Sequence, residues 1–427
     1  MHHHRDDHDL PRRELDAPTV RRFLTGAVVV LVLAALAGMA IWWPRGDADV
    51  DRETLGYADR VRATVTTAEI GPCSFDPESE CNAVSARISE GPDEGTFANL
   101  ETDVASGTAA ANLDVGDDIV LSDAGPDTEA SARYQFADVQ RGPPLMILAV
   151  IFGVVVVALG RLRGLLALAG IGVTVGVLLA YAFPALLRGA SPVGVAVTAA
   201  IVIAAVTIYL SHGVNDRTTV ALLGTIASLL LTAGLAAAFG AAADLSGLVQ
   251  EESLILLTFA PDLDFRGLLL AATIIGTLGV LDDVTITQVS AVWELRRSNP
   301  RASARELYSA GIRIGRDHIA STVNTLVLAY TAAALPTLLL FTQSGLALGE
   351  VLTTETVAVE IVQTLVGSIG LVASVPLTTA LASWVVTLAG QDERVERIEP
   401  ATPPPGRRQP RRPAAAESPH DIFWGRR

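Results

Sequence analysis

Apolar residues gather into runs of 18 or more that recur along most of the 427-residue chain. Such a run spans a hydrocarbon core about 30 Å thick, whereas a soluble chain of this length would divide its apolar residues among two or three cores. The first run, 23–43, follows Arg21 and Arg22 and closes with Ile41-Trp42-Trp43-Pro44. It is longer than the roughly 7–15 apolar residues of a signal peptide and ends in interfacial tryptophans, which predicts an uncleaved anchor. Seven further spans are predicted at 143–160, 164–187, 192–211, 218–240, 267–293, 318–341 and 357–389. Between the fifth and sixth of the eight, Leu254-Ile255-Leu256-Leu257 is too short to cross and is expected at the interface or in a re-entrant loop. The polar tails 1–22, with His2, His3, His4 and His8, and 391–427, rich in Pro, Arg and Ala, are expected to be disordered.

Residues 44–142 follow a different period. Val61-Arg62-Ala63-Thr64-Val65, Val84-Ser85-Ala86-Arg87-Ile88 and Tyr134-Gln135-Phe136-Ala137-Asp138-Val139 alternate apolar with polar, and Gly, Pro, Asn or Asp bound each run. That is the strand signature. Leu113 to Leu121 reads as a turn entering a strand, with Gly116 free to take positive φ. The expected fold is thus an all-α membrane protein of about eight transmembrane helices, with a small extracytoplasmic all-β domain, a barrel or sandwich, inserted between helices 1 and 2.

Charge orients this chain. The formal net charge is −15, and residues 44–144 hold 21 Asp and Glu against 7 Arg. Such a face repels nucleic acid and anionic lipid. With the N-terminus inside, the short inner loops carry Arg161, Arg163, Arg217, Arg296, Arg297, Arg301, Arg305, Arg313 and Arg316, and the short outer loops only Arg188 and Arg266. That bias obeys the positive-inside rule. Both termini are then cytoplasmic, and 44–142 lies outside. Cys73 and Cys81 both fall in that outer segment, where an oxidising environment allows a disulfide across a short loop. A zinc site would need more ligands than the neighbourhood offers, and no cofactor is expected.

Charged groups at membrane depth cost several kcal/mol unless paired or neutralised, so each is a functional candidate. From Gly267 to Leu281 is 15 residues, roughly 22 Å of helix. The sixth span must therefore continue through Asp282 and Asp283 to cross. Asp283, Thr287, Ser290 and Glu294 share one helix face, while Asp282 and Thr285 lie about 100° away. The seventh span begins at the same inner surface. Asp317, Ser321 and Asn324 share one face and His318, Thr322 and Thr325 the next, with Arg313 and Arg316 just before. His212, Asn215, Asp216 and Arg217 close the fourth span there too. One polar cluster in the inner leaflet is expected, with Asp282, Asp283, Thr285, Thr287, Asn324 and His318 as ion- or proton-binding groups and Arg313, Arg316 and Asp317 as charge partners. The alternative is a purely structural network, with Ser, Thr and Asn joining helices and Asp283 bridged to Arg316. Pro336 and Pro376 are potential kinks.

The strings GVLDDVTITQVSAVWEL (279–295) and GRDHIASTVNTLVLAYTAAALPTLLLF (315–341) resemble the YibE/F-like family of bacterial membrane proteins, over roughly residues 120–390. The resemblance implies the multispan architecture, preceded here by an anchored outer domain, and brings no catalytic residues with it. Three functions stay open. The first is a permease-like protein for a cation or small solute. The second is a non-transporting assembly or sensory component whose outer domain binds a protein partner. The third is a membrane-embedded enzyme, against which stands the lack of HExxH, GxSxG, GxGD and nucleotide-binding glycine motifs. Reporter fusions test the orientation. A fusion at Gly95 is expected to signal outside and one at Ser303 inside, and the reverse pair of signals overturns it.

Overall fold

The computed structural model describes residues 17–46, 59–125, 128 and 133–396. The tail expected at 1–22 lies outside the described residues up to 16, and that expected at 391–427 lies outside them beyond 396. Five strands form one antiparallel half-barrel sheet: β1 Asp59–Pro72, β2 Glu80–Ile88, β3 Phe97–Asp103, β4 Asp118–Asp123 and β5 Tyr134–Val139, in the order β3-β2-β1-β4-β5. Alternation places the side chains as expected. Val61, Ala63 and Val65 of β1 point inward with Val84, Ala86 and Ile88 of β2 and Ile119 and Leu121 of β4. Gly116 enters β4 at φ 99°, and a bulge between Val65 and Thr67 breaks the β1–β2 register, which sharpens the local twist.

Cys73 and Cys81 form a disulfide that closes the β1–β2 hairpin. Glu101 lies beside the two sulfurs but accepts from the Ser74 N–H (2.5 Å) and hydroxyl. With both sulfurs bonded to each other, this group is a cross-link and not a metal site. On the other side of the sheet Arg133 forks onto Asp123 (2.8 and 3.0 Å) and reaches Asp93 (2.7 Å). The guanidinium hydrogen bonds hold the Asp123 carboxyl below its ordinary range. Burial, with a hydrogen bond donated to Asp93, pushes the Tyr134 phenol up to about 12.

The rest is helical: α1 Ala17–Ile41, α2 Gly142–Val177, α3 Phe183–Leu187, α4 Pro192–His212, α5 Asp216–Ala242, α6 Glu251–Phe259, α7 Phe265–Ser298, α8 Ala304–Ala333, α9 Leu335–Gln343, α10 Leu348–Thr353 and α11 Glu355–Glu396. Among the described residues six helices are long and apolar enough to cross a membrane, or seven if α8 and α9, bent by 63° at their junction, count as one. The second of them, Gly142–Leu187, has 46 residues and would run about 69 Å if straight. Arg161 in its middle adopts φ 53°, ψ −131°. A Cβ built on Gly153 would lie 3.9 Å from the Leu168 side chain, although a straight helix separates residues 153 and 168 by about 22 Å. The stretch folds back at Arg161, where the sequence places the loop between 143–160 and 164–187.

Two helical expectations need correction. The span expected at 318–341 begins at Ala304, because the Ser303–Glu306 capping box starts the helix there. It then breaks at Ala334, because Pro336 has no N–H for a preceding carbonyl and its ring is tolerated only in a first turn. Pro376, by contrast, sits inside an unbroken α11. The terminal helices also outrun their apolar runs, α1 starting at Ala17 and α11 reaching Glu396, since a helix need not end where the apolar stretch does.

Acid should loosen the half-barrel. A carboxyl held below its unfolded value of about 3.9 contributes stability above that pH, which is lost as pH falls through the lower folded value. Protection of the β4 and β5 amides against hydrogen exchange, relative to the intrinsic rate at each pH, is expected to fall below about pH 4. At pH 7, Asp123→Asn is expected to lower that protection as well, and unchanged protection in the variant would contradict the role given to the Arg133 fork.

Candidate functional site

The site is built on α7, whose 34 residues rise about 51 Å. Asp264 caps its start, accepting from the Gly267 N–H at 2.8 Å, and Arg296 and Arg297 complement its last turn. Asp282 and Asp283 stand roughly 24 Å along from Arg266, far from either polar end. Because each residue turns about 100° from the last, the polar residues of 282–288 fan out to different neighbours.

Asp282 is half-buried and turns toward α4. Its one hydrogen-bond partner among the described residues is the Thr207 hydroxyl at 3.4 Å. That hydroxyl has a single proton and already bonds the Ile203 carbonyl at 2.9 Å, so the carboxylate is poorly satisfied. Thr285 faces α5 and is fully buried, sharing a 2.6 Å hydrogen bond with Thr225. Gln288 lies on the neighbouring face, about 60° round the helix, its amide donating to the Gly311 carbonyl of α8 (2.8 Å) and to the Thr379 hydroxyl of α11 (2.7 Å). Asp283 and Thr287 lie on an exposed stripe with Ala272, Gly276 and Gly279, and Thr287 bonds back to the Asp283 carbonyl.

The α8 residues do not join them. Gly311 and Gly315 turn inward because backbone must approach closely there; a Cβ on Gly311 would lie 2.7 Å from Thr379, and one on Gly315 3.1 Å from Gln288. With that edge inward, Arg313, Arg316, Asp317, His318 and Asn324 are all exposed. Among the described residues none of the five bonds to or pairs with Asp282 or Asp283. The expected bridge from Asp283 to Arg316 is absent there, for the same reason: the charged edge of α8 is turned away from α7. At the end of α4, Asn215 is engaged in capping α5, and Asp216 meets Arg21 at 3.5 Å. The expected three-helix cluster is therefore dispersed, with Asp282 facing α4 and Thr285 and Gln288 joining α5, α8 and α11.

The sequence reading missed the role of Gln288, which it quoted within a motif only. It also missed Glu360, a carboxylate six residues into α11 whose signal was its place inside an apolar run. Behind these groups runs a seam of buried hydroxyls, with Ser228 and Thr232 on α5, Thr273 and Thr277 on α7, and Ser374 and Thr378 on α11. Most of these return their proton to a carbonyl of the preceding turn, as Thr232 does to Ser228 at 2.9 Å.

A profile of the YibE/F-like protein family matches residues 148–388, which is more than half of the chain and includes all of α4 to α10. The chain belongs to the YibE/F-like family. The match leaves out α1 and the half-barrel, which precede the family region. No curated protein and no solved structure matches it. With its apolar helices, family membership identifies a membrane protein.

Gln288 is expected to hold α8 to the bundle. Interhelical hydrogen bonds in membranes are worth about 0.6 kcal/mol each on average and up to about 1.7. Gln288→Leu should then lower the stability of the detergent-solubilised protein by about 1–2 kcal/mol, read as a fall in its thermal unfolding midpoint. An unchanged midpoint would show that packing at Gly311 and Gly315 suffices.

Proposed function

We propose that this YibE/F-like protein is a non-enzymatic, permease-like carrier of a cation or small solute in the bacterial plasma membrane. Asp282 and Asp283 are its ion- or proton-binding groups. The observation that carries the reading is Asp282: a half-buried carboxylate in mid-span, with one hydroxyl at 3.4 Å and no ion pair among the described residues. In an apolar slab such a group is costly unless it takes up a proton or a cation. Asp283 beside it, on the exposed stripe of α7, provides a second acceptor. Thr285 and Thr287 brace the segment, and Asn324 and His318 stand on the outward edge of α8 for a rearranged state. With no nucleotide-binding motif, transport runs on an ion gradient or a partner subunit.

Folding back at Arg161 supports an eight-crossing topology when α8 and α9 are counted as one crossing, with both termini cytoplasmic and the half-barrel outside. A second reading, a sensory or assembly component, draws on the outer domain. There Ile70, Phe75 and Phe97 stand 68%, 67% and 58% exposed, apolar side chains that a protein partner could cover.

Flux of a protonophore-sensitive cation into proteoliposomes separates the two. Asp282→Asn combined with Asp283→Asn is expected to reduce the rate by at least about tenfold, one tenfold step being about 1.4 kcal/mol. Full flux in the double variant overturns the assignment of the aspartates. Retained cellular function in that variant, but loss on deleting 59–139, favours the partner-binding reading.

A further inference from the structure

A cavity of about 1080 Å³ opens between α6, the first turns of α7, the far end of α8, α9 and the first turns of α11. At the opposite end of these helices Gln288, Gly311 and Thr379 pin α7, α8 and α11 together, and α7 and α11 stay packed as far along as Thr277 and Gly367. The break at Ala334 then bends α9 away by 63° instead of letting it close the gap.

The walls are mostly apolar, with Leu268, Leu269 and Ala272 on one side and Val327 and Val357 on others. Three glutamates line the space, Glu360 within it and Glu251 and Glu252 from α6, and no Arg or His does. Glu360 differs from its neighbour Glu355. The latter is satisfied structurally, accepting from the Ser246 N–H (2.5 Å) and hydroxyl (2.8 Å) and the Gly247 N–H (3.1 Å). Glu360 is half-buried and, among the described residues, makes no hydrogen bond and no ion pair. Tyr330, close enough to interact with it electrostatically, has its hydroxyl 3.6 Å from where a Cβ on Gly276 would stand. Ala272 and Gly276 continue the exposed stripe that ends at Asp283 and Thr287.

The geometry points to this chamber as a binding site for an organic cation with an apolar body, of the alkylammonium or quaternary onium kind, with Glu360 as counter-charge and Tyr330 beside it. Volume, wall and charge each select for that class. A pocket of this size encloses a molecule of tens of atoms. A bare metal ion would want about six oxygen ligands, yet among the described residues no three Asp, Glu, His or Cys side chains converge in the chamber. A neutral solute would leave the carboxylate unanswered in an apolar surround, and an anion would meet only glutamates. The inference rests on the permease reading for its purpose, since it names the class of solute carried. Its test reads binding, not flux, so the two can fail separately.

The probe is tritiated tetraphenylphosphonium, titrated against the full chain in lipid nanodiscs with empty nanodiscs subtracted. Saturable binding is expected, weakened at least about tenfold by Glu360→Gln, as removal of one member of a desolvated charge pair requires. Glu350→Gln, outside the chamber, is expected to change nothing. Should Glu360→Gln fail to fold, Ala272→Trp fills the chamber from the α7 wall with the carboxylate intact and is expected to abolish binding. No saturable binding, or unchanged affinity in either Glu360→Gln or Ala272→Trp, overturns the proposal. Intact binding in a protein that carries no flux would leave the chamber standing and remove the permease reading.

Discussion

In a hydrocarbon slab no water is present to satisfy a polar group, so the donors and acceptors of this protein must find one another inside the bundle. That constraint explains the character of the α5, α7 and α11 core. It is a seam of threonine and serine in which hydroxyls mostly return their protons to the preceding turn, leaving small side chains to let backbones approach. Contacts of that kind replace the hydrophobic driving force that is missing between helices in lipid. Gln288 extends the same logic to α8. Its amide joins three helices at one point, opposite Gly311 and Gly315.

At the other end of these helices the Pro336 break bends α9 away by 63°, which leaves the chamber around Glu360 unfilled. The exposed stripe of α7 runs on from that chamber, from Ala272 through Gly276 and Gly279 to Asp283. Small residues on that stripe keep it open, and carboxylates stand near both of its ends.

The half-barrel obeys the ordinary rules of water. Its core is one inward face of alternating strands, its hairpin is closed by a disulfide, and the ion pair of Asp123 with Arg133 is forked and shared with Asp93. The two parts of the chain meet their polar requirements differently, the membrane part through backbone carbonyls of the preceding turn and the half-barrel through charge pairs.

By itself the sequence determined the class of each segment. Runs of apolar residues, period-two alternation at 59–72 and 80–88, the two cysteines and the turn at Gly116 are local properties, and a helix or strand reports them without knowing its neighbours. The fold-back at Arg161 was legible too, as two arginines between apolar runs. That Asp282 and Asp283 fall near the middle of one long helix followed from counting residues at 1.5 Å each. Only the tertiary structure decided which way each polar group faces. Two α7 residues one position apart differ by about 100°, so Asp282 meets Thr207 while the Asp283 carboxylate has no hydrogen-bond partner among the described residues, and no spacing rule distinguishes a cluster from a fan. The rotation of α8 about its own axis likewise depends on where Gly311 and Gly315 can be accepted by α7 and α11. That is a property of three helices at once, and it turns Arg313, Arg316 and His318 outward where the pattern of one helix alone had placed them beside the aspartates.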